Sequence, residues 1–306
     1  MSAPRTRRSA PARADWLYRE YDTAEELRRV NAHYERPADF YRRVLGGRWH
    51  VYSASLAAGA PSMTAAQEAK LDLLAELMEL RAGQRVLDLG CGWGGPLAYI
   101  CKRYAVRGVG ITSSPQQRAA AEERFASERV AARAYDTHWH DYVPDEPFDV
   151  VYTDEVITHF RDLGDFFARV ALWLRDGGRM VNKELHFAHP DYATVMTRAV
   201  AFLDELFAGT GNYRTLADEL ALVNAAGFDV RAVRSIPLEH YRATLDVWLA
   251  NLRRERDALV DLVGEDYYRR HRAYLEFVRR FVMTHGIMTL DVVAAEKRRT
   301  PSGSAS

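Results

Sequence analysis

Residues 85–95 read RVLDLGCGWGG, a short apolar stretch that leads into a loop with glycines at positions 90 and 92. Gly90 and Gly92 adopt conformations that other residues avoid and let the backbone approach a ligand closely. The helix predicted after the loop directs its first amides toward an anionic group such as a carboxylate. With the acid Asp88 ahead of the loop, this segment predicts a ligand site at the end of a β-strand.

The segments around this loop alternate between strand and helix patterns. Further strands are predicted at residues 106–112, 130–136, 148–156 and 179–187, and helices at 94–104, 115–128 and 163–178. This alternation is typical of α/β proteins with a mainly parallel sheet. We therefore predict a Rossmann-like α/β fold.

The remaining segments are predicted to complete a single domain over residues 15–297. Its parts are an N-terminal helical entry (15–80), the core around the glycine loop (81–190), a helical cap (191–262) and a final helix and strand (263–297). In the entry, Ser62 is expected to cap a helix. Residues 1–14 and 298–306 have the composition of disordered tails.

The end of the second predicted strand narrows the class of ligand. A dinucleotide-binding strand usually ends in Asp or Glu, which holds the ribose. Here the strand ends in Ile111 and Thr112, and Gln117 follows one turn into the next helix. A Gln side chain offers ribose hydroxyls both a donor and an acceptor. Simple helix capping by Thr112 and Ser113 is an alternative role for these two hydroxyls.

Composition excludes several other classes of function. The 306 residues carry 42 basic and 42 acidic side chains, so nothing in the net charge favours nucleic acid as a partner. The two cysteines, Cys91 and Cys101, suit neither a disulfide framework nor a metal site. No stretch is apolar enough to span a membrane or to act as a signal peptide. We expect a cytoplasmic protein, with homo-oligomer formation left open.

Several dispersed segments resemble the cyclopropane-fatty-acid and mycolic-acid synthase group of S-adenosylmethionine-dependent methyltransferases. They are NAHYERPADFYRRVL, VYSASL, GCGWGG, GITSSPQQ, HDYVPDEPFDVVY and HYRATLDVWLANL, in that order, within roughly residues 29–297. The resemblance implies a class I methyltransferase sheet and S-adenosylmethionine as cofactor. Carried over residue by residue, it implies cofactor contacts at Tyr52, Ser53, Gly90, Gly92, Ile111, Thr112 and Gln117, joined by Asp88 from the loop motif, with His140 and Asp141 beside adenine.

The chain departs from this group at the site of methyl acceptance. The lipid-modifying members hold a bicarbonate ion with a Cys, a Glu, a His and a Tyr. The Tyr position is kept as Tyr241, but the other three positions are Ala54, Thr158 and Lys183. This departure puts cyclopropane formation in doubt.

Polar residues take the place of the missing ligands. Asp154 and Glu155 lie at the end of the fourth predicted strand, and Lys183 and Glu184 lie at the end of the fifth. Because ligands bind at the carboxyl ends of such strands, we predict substrate binding by Asp154, Lys183 and Glu184. Catalytic roles are predicted for Glu155, His159 and Tyr241. Mutual pairing of these charges at the rim is the structural alternative.

A charged pocket favours a small polar acceptor, because buried charges need partners. The first hypothesis is therefore S-, N- or C-methylation of a small polar metabolite, with an amino-acid-like thioether or amine preferred. The alternative is methylation or cyclopropanation of an unsaturated lipid acyl chain, for which aromatic residues of the cap would shape an apolar pocket: Phe202, Phe207, Tyr213 and Tyr241. A third hypothesis is a protein that binds the cofactor without catalysis.

Overall fold

A computed structural model of the chain describes residues 23–34, 36–192 and 213–299. Within them the helices are α1 (Thr23–Tyr34), α2 (Ala38–Leu45), α3 (Met63–Met78), α4 (Gly95–Tyr104), α5 (Pro115–Glu128), α6 (Leu163–Trp173), α7 (Leu216–Ala225), α8 (Leu238–Arg254), α9 (Arg256–Val263) and α10 (Glu265–Phe277). The strands are β1 (Arg85–Leu89), β2 (Arg107–Thr112), β3 (Ala132–Asp136), β4 (Phe148–Asp154), β5 (Leu174–Phe187), β6 (Phe228–Ile236) and β7 (Met288–Lys297).

The strands form one seven-stranded sheet in the order β3-β2-β1-β4-β5-β7-β6. Strands β1 to β5 are parallel, and β7 lies antiparallel between β5 and β6. Every residue of β1 is buried, as expected for a central parallel strand covered on both faces. The predicted Rossmann-like α/β sheet is confirmed.

Local signals explain where several elements begin. The Ser62 side chain accepts a hydrogen bond from the Ala65 amide at the start of α3, as predicted. The predicted N-terminal helical segment is divided into α1 and α2 near Pro37, which cannot continue a helix interior. The final helix and strand predicted after residue 263 correspond to α10 and β7.

The predicted helical cap over residues 191–262 is wrong in one respect. Strand β6 lies inside it and extends the sheet beyond β7. Its sequence, FDVRAVRSI, is mostly exposed and carries arginines, as edge strands often do to prevent unwanted pairing. The apolar alternation of this edge strand is too weak for its sequence to predict a strand. Residues 193–212, with Phe202 and Phe207, lie outside the described part of the chain.

The remaining predictions concern the two ends of the chain, membrane-spanning segments and the division into domains. The predicted tail 1–14 lies outside the described residues, and so do residues 300–306. Arg298, assigned to the second tail, is described and its guanidinium bonds the carboxylate of Asp229 at 2.8 Å. No helix within residues 23–34, 36–192 and 213–299 is long and apolar enough to cross a membrane. The division into one domain with four parts stays a prediction.

Candidate active site

A cavity of about 1000 Å³ opens at the carboxyl ends of β1, β2 and β4. This is the edge of a parallel sheet at which ligands bind in open α/β folds. Its lining includes eight residues predicted to contact the cofactor: Tyr52, Ser53, Asp88, Gly90, Gly92, Ile111, Thr112 and Gln117. We refer to it as the cofactor cavity.

The glycine loop forms the floor of this cavity. Gly90 has a φ of 87°, and a Cβ there would lie 2.7 Å from a methyl group of Val156. Gly92 has a φ of 51° and nothing within 4 Å of a Cβ position, so its backbone is open toward the cavity. Positive φ angles and close approach are the two conditions that favour glycine. The loop therefore suits a ligand that lies directly on the backbone.

Thr112 and Gln117 form a hydrogen-bonded pair at the end of β2. The Thr112 hydroxyl lies 2.6 Å from the amide oxygen of Gln117, so it donates there and leaves the amide NH2 available to a ligand. Helix capping was the alternative role for Thr112 and Ser113. The residue that caps α5 is instead Ser114, whose side chain accepts the backbone amide of Gln117. The positions of Thr112 and Gln117 fit the predicted ribose contact.

Asp88 is a buried acid beside the loop. Burial raises its pKa to about 7, although a hydrogen bond from the Tyr152 hydroxyl, 2.6 Å from the carboxylate, favours the charged form. A positively charged ligand group in the cavity would compensate a carboxylate here. The sequence identified Asp88 by its position before the glycine loop.

The two residues predicted to lie beside adenine do not line the cofactor cavity. His140 and Asp141 lie outside it, with their side chains 42% and 68% exposed and paired with each other. Two preceding residues, His138 and Trp139, line the cavity instead. The carboxylate of Glu26 in α1 fixes them, since one of its oxygens lies 2.9 Å from Nε2 of His138 and from Nε1 of Trp139.

A second cavity of about 520 Å³ adjoins the first and shares Tyr52 and His159 with it. We call it the acceptor cavity. Apolar side chains of Leu185, Leu245 and Val278 form part of its wall. The rest of the wall combines aromatic rings and polar groups: Glu155, Thr158, Glu184, Tyr213, Tyr241, Trp248 and Tyr274.

Glu155 provides the most strongly held carboxylate of the acceptor cavity. One oxygen accepts the Ala54 amide at 2.8 Å and also bonds the ammonium of Lys183. The other accepts the Tyr241 hydroxyl at 3.0 Å. The backbone reaches this arrangement through a φ of 58°, which is uncommon for a residue other than glycine. An unusual conformation that aims a carboxylate into a cavity indicates a functional group.

Asp154 and Lys183, predicted to bind substrate, do not line the acceptor cavity. Lys183 is fully buried and its ammonium bonds Asp154 at 3.0 Å as well as Glu155. Asp154 lines the cofactor cavity and also accepts bonds from Ser53 and Lys70. The pairing of charges considered as the alternative therefore describes Asp154 and Lys183, because a buried charge is stable only with such partners.

The charges of this cluster stabilise one another. Although burial favours the neutral acid, the ammonium groups of Lys183 and Lys70 lower the pKa of Asp154 to about 2. Burial opposes the charge of Lys183 as well, but Asp154 and Glu155 raise its pKa above the usual range. Sequence reasoning missed Lys70, although a lysine amid the apolar positions of α3 was the available signal.

The other two polar residues of the prediction, Glu184 and His159, do line the acceptor cavity. Burial, with the nearby Glu155, raises the pKa of Glu184 to about 8. Burial lowers the pKa of His159 to about 4, so its imidazole is neutral at neutral pH. The structure thus brings Glu155, His159, Tyr241 and Glu184 together around one cavity.

The sheet order and the cavity over the glycine loop define the class I methyltransferases, which use S-adenosylmethionine. Comparison with known proteins agrees. The family model for mycolic acid cyclopropane synthetase matches residues 21–291. The chain is 30% identical over 263 residues to cyclopropane mycolic acid synthase 1 of Mycobacterium tuberculosis, covering 80% of this chain and 89% of that protein.

Two further relatives extend the comparison. A probable fatty acid methyltransferase of Pseudomonas putida is 27% identical, over 89% of this chain and 71% of that protein. The crystal structure of mycolic acid cyclopropane synthase CmaA1 in complex with SAH and CTAB superposes with a TM-score of 0.82 at 26% identity, covering 89% of this chain and 98% of that one. The chain belongs to the mycolic acid cyclopropane synthetase family and is an S-adenosylmethionine-dependent methyltransferase.

Proposed function

We propose that this enzyme methylates an unsaturated acyl chain, with Glu155 as the proton acceptor. The main support is the character of the acceptor cavity. Aromatic and aliphatic side chains share its wall with Glu155 and Glu184, and the ammonium of Lys183 and the carboxylate of Asp154 are paired outside it. The cost of placing an acyl chain among unpaired charges, which favoured a small polar acceptor, therefore largely disappears. The names of the relatives also support a lipid acceptor more than a small polar one.

The cofactor would lie in the cofactor cavity, held by the glycine loop, by Thr112 and Gln117, and by Tyr52. When bound, S-adenosylmethionine supplies an electrophilic methyl group. Because Tyr52 and His159 line both cavities, the methyl group would pass between them. The protein aligns the acceptor double bond with this passage, which is its main contribution to the rate.

The aromatic wall has a second task if the acceptor is an alkene. Methylation of a double bond leaves positive charge on a neighbouring carbon of the acceptor. The faces of Trp248, Tyr213 and Tyr274 stabilise such a charge through their ring electrons. A base then removes a proton from the acceptor and the electron pair of the broken C–H bond neutralises the cation, either as a new double bond or as a cyclopropane ring.

We assign that base to Glu155. Its carboxylate accepts bonds from the amide of Ala54 and the hydroxyl of Tyr241, two of the positions that the resemblance assigned to carbonate ligands. The side chain thus occupies the place where the resemblance puts a carbonate ion. The neutral imidazole of His159, beside Glu155 in the same cavity, is the other group able to accept the proton.

A small polar acceptor remains the second candidate on one observation. The acceptor cavity of about 520 Å³ presents two carboxyl groups and several hydroxyls to its contents. An amine held by Glu155 would use the same residue as base.

A partition experiment tests the proposal. Purified enzyme receives methyl-labelled S-adenosylmethionine and a cell extract, and the products are divided between an organic and an aqueous phase. We expect label in the organic phase, in acyl chains released by saponification. Glu155→Gln should reduce that label about 100-fold or more, since general-base catalysis contributes about 10²–10⁴-fold. Glu239→Gln, an exposed residue on the same helix as Tyr241, is the matched control. Label confined to the aqueous phase would favour the small polar acceptor.

A further inference from the structure

The acceptor cavity contains two carboxyl groups with opposite surroundings. Glu155 contacts an ammonium group, a hydroxyl and a backbone amide. Glu184 receives only backbone amides, those of Thr158 at 3.1 Å and Leu185 at 2.9 Å. No cationic side chain within the described ranges bonds Glu184, although it is only 3% exposed.

The two cationic groups nearest in sequence to Glu184 are committed elsewhere. The adjacent Lys183 projects to the other side of β5 and bonds Asp154 and Glu155. His186 lies between Glu219 at 2.6 Å and Asp291 at 3.3 Å. A second carboxylate in the cavity would therefore be buried, without a bonded cation and close to the first, and its two backbone amides and the more distant His186 offset only part of that cost. Such a group holds its proton, as two neighbouring carboxyl groups commonly do.

The protonated carboxyl of Glu184 has one donor to offer. Each of its oxygens already accepts one backbone amide, and no acceptor for its hydroxyl is found within the part of the chain that the structure describes. The indole N–H of Trp248, a residue that lines the same cavity, is also buried without a partner there. Buried donors are rarely left without acceptors, so these groups point to a ligand that carries oxygen.

We propose that Glu184 is a neutral hydrogen-bond donor that selects acceptors with a hydroxyl or carbonyl oxygen close to the methylated carbon. The inference rests on the proposed function for the acyl nature of the acceptor, and it narrows that class to oxygenated unsaturated chains. Glu155 and Glu184 then have separate tasks. The first removes a proton from the acceptor, and the second holds the acceptor's oxygen in place.

Ionisation of Glu184 would remove this donor. Its pKa of about 8 means that the donor is present at neutral pH and is lost as the pH rises through 8. The titratable groups around it are Glu155, His159, Tyr34, Tyr213, Tyr241, Tyr274 and His186. Burial lowers the pKa of His159 to about 4 and raises the pKa values of the four tyrosines, so these five groups do not titrate near pH 8. His186 titrates near pH 9, but it contacts Glu219 and Asp291.

The test uses two probes that differ in one hydroxyl, methyl oleate and methyl ricinoleate. In methyl ricinoleate the carbon that carries the hydroxyl is two bonds from the double bond. For the wild type, kcat/KM should be about tenfold higher for ricinoleate, the difference made by one hydrogen bond of a buried group. Glu184→Leu should remove this preference, while Glu184→Gln, which keeps an N–H donor, should retain it.

The wild-type kcat/KM for ricinoleate should fall about tenfold from pH 7 to 9, and Glu184→Gln should remove most of that fall.

Two results would overturn the proposal: an unchanged preference in Glu184→Leu, or the same decline with pH in Glu184→Gln as in the wild type. Failure of the proposed function gives a different pattern, with neither probe methylated and the label from cell extract in the aqueous phase. The pH profiles of the wild type and Glu184→Gln are then measured on that aqueous product. A profile that Glu184→Gln does not alter would reject the donor role there too.

Discussion

The backbone conformation of Glu155 helps to direct its carboxylate into the acceptor cavity. A left-handed conformation costs a residue with a Cβ about 1–2 kcal/mol. The contacts of its carboxylate with Ala54, Lys183 and Tyr241 offset that cost and fix its direction. The sequence indicated Glu155 as catalytic by its place after β4. It did not indicate the three contacts, because their residues are far apart in the chain.

Removing this side chain should leave a small anion site. In Glu155→Gly the backbone keeps its positive φ without strain, while the Ala54 amide, the Tyr241 hydroxyl and the Lys183 ammonium remain. We expect turnover to fall about 100-fold or more. Added bicarbonate or acetate should restore part of it, since a small carboxylate fits the same donors. Initial rates measured against anion concentration check this, with chloride as the control anion.

The double variant Glu155→Gly with Tyr241→Phe makes the test specific. It lacks one of the three donors, so rescue by the anion should weaken while cofactor binding stays the same. Equal rescue in both variants would mean that the anion acts elsewhere.

At the scale of elements, the end of β5 explains why the predicted pocket was too highly charged. The sequence placed Lys183 and Glu184 in one pocket. Successive side chains of a strand point to opposite faces, so the two cannot share a direction. Lys183 bonds Asp154, which also bonds Lys70 of α3, and Glu184 accepts an amide of the 3₁₀ turn at Ile157–His159. Strand periodicity alone predicts this separation.

His186, two residues further, connects three elements. Its imidazole on β5 contacts Glu219 on α7 and Asp291 on β7, and all three side chains are buried. Burial opposes its charge, but the carboxylates of Asp291 and Glu219, one beside each ring nitrogen, raise its pKa to about 9. Because the folded-state pKa exceeds the unfolded value, its contribution to stability is complete below about pH 6.5 and is lost as the pH rises through 9.

Asp291→Asn should therefore destabilise the protein at pH 6 by about 3 kcal/mol, the usual cost of breaking a buried ion pair. The loss of stability between pH 6 and 9.5 should be smaller than in the wild type. The raised pKa of Glu184 also lowers wild-type stability as the pH rises through 8, and this part is common to both proteins. Urea unfolding at the two pH values measures the difference. Equal pH dependence would show that His186 is not charged in the folded protein.

At the scale of the whole molecule, we expect one cavity to bind the cofactor and the adjoining cavity to bind the methyl acceptor. Glu155 and Glu184 line only the acceptor cavity, and Thr112 and Gln117 line only the cofactor cavity. Calorimetry with S-adenosylhomocysteine should give Glu155→Gln and Glu184→Leu a Kd close to that of the wild type. Gln117→Ala should weaken binding about tenfold through lost hydrogen bonds. A large loss of affinity in Glu184→Leu would contradict this division.

The sequence predicted the parallel core because its strands are short, buried and separated by clear helices. It missed β6, whose residues face solvent and carry little apolar signal. On the cofactor side, the predicted positions that follow strand ends line the cofactor cavity, and their contacts stay a prediction. His140 and Asp141 do not line it, since the segment between β3 and β4 has no regular periodicity to fix its register. The acceptor cavity depends on residues from distant helices, such as Trp248 and Tyr274, which no local pattern connects.

The two cysteines have a consequence for behaviour under oxidative stress. Cys91 in the glycine loop and Cys101 in α4 are both free and buried. Burial raises the pKa of the Cys101 thiol to about 12 and that of Cys91 well above its usual range. The thiolate is the form that attacks peroxides and disulfides, so we expect the folded enzyme to resist sulfenylation and glutathionylation at both positions. We therefore expect its activity not to depend on the thiol redox state of its surroundings for as long as it stays folded.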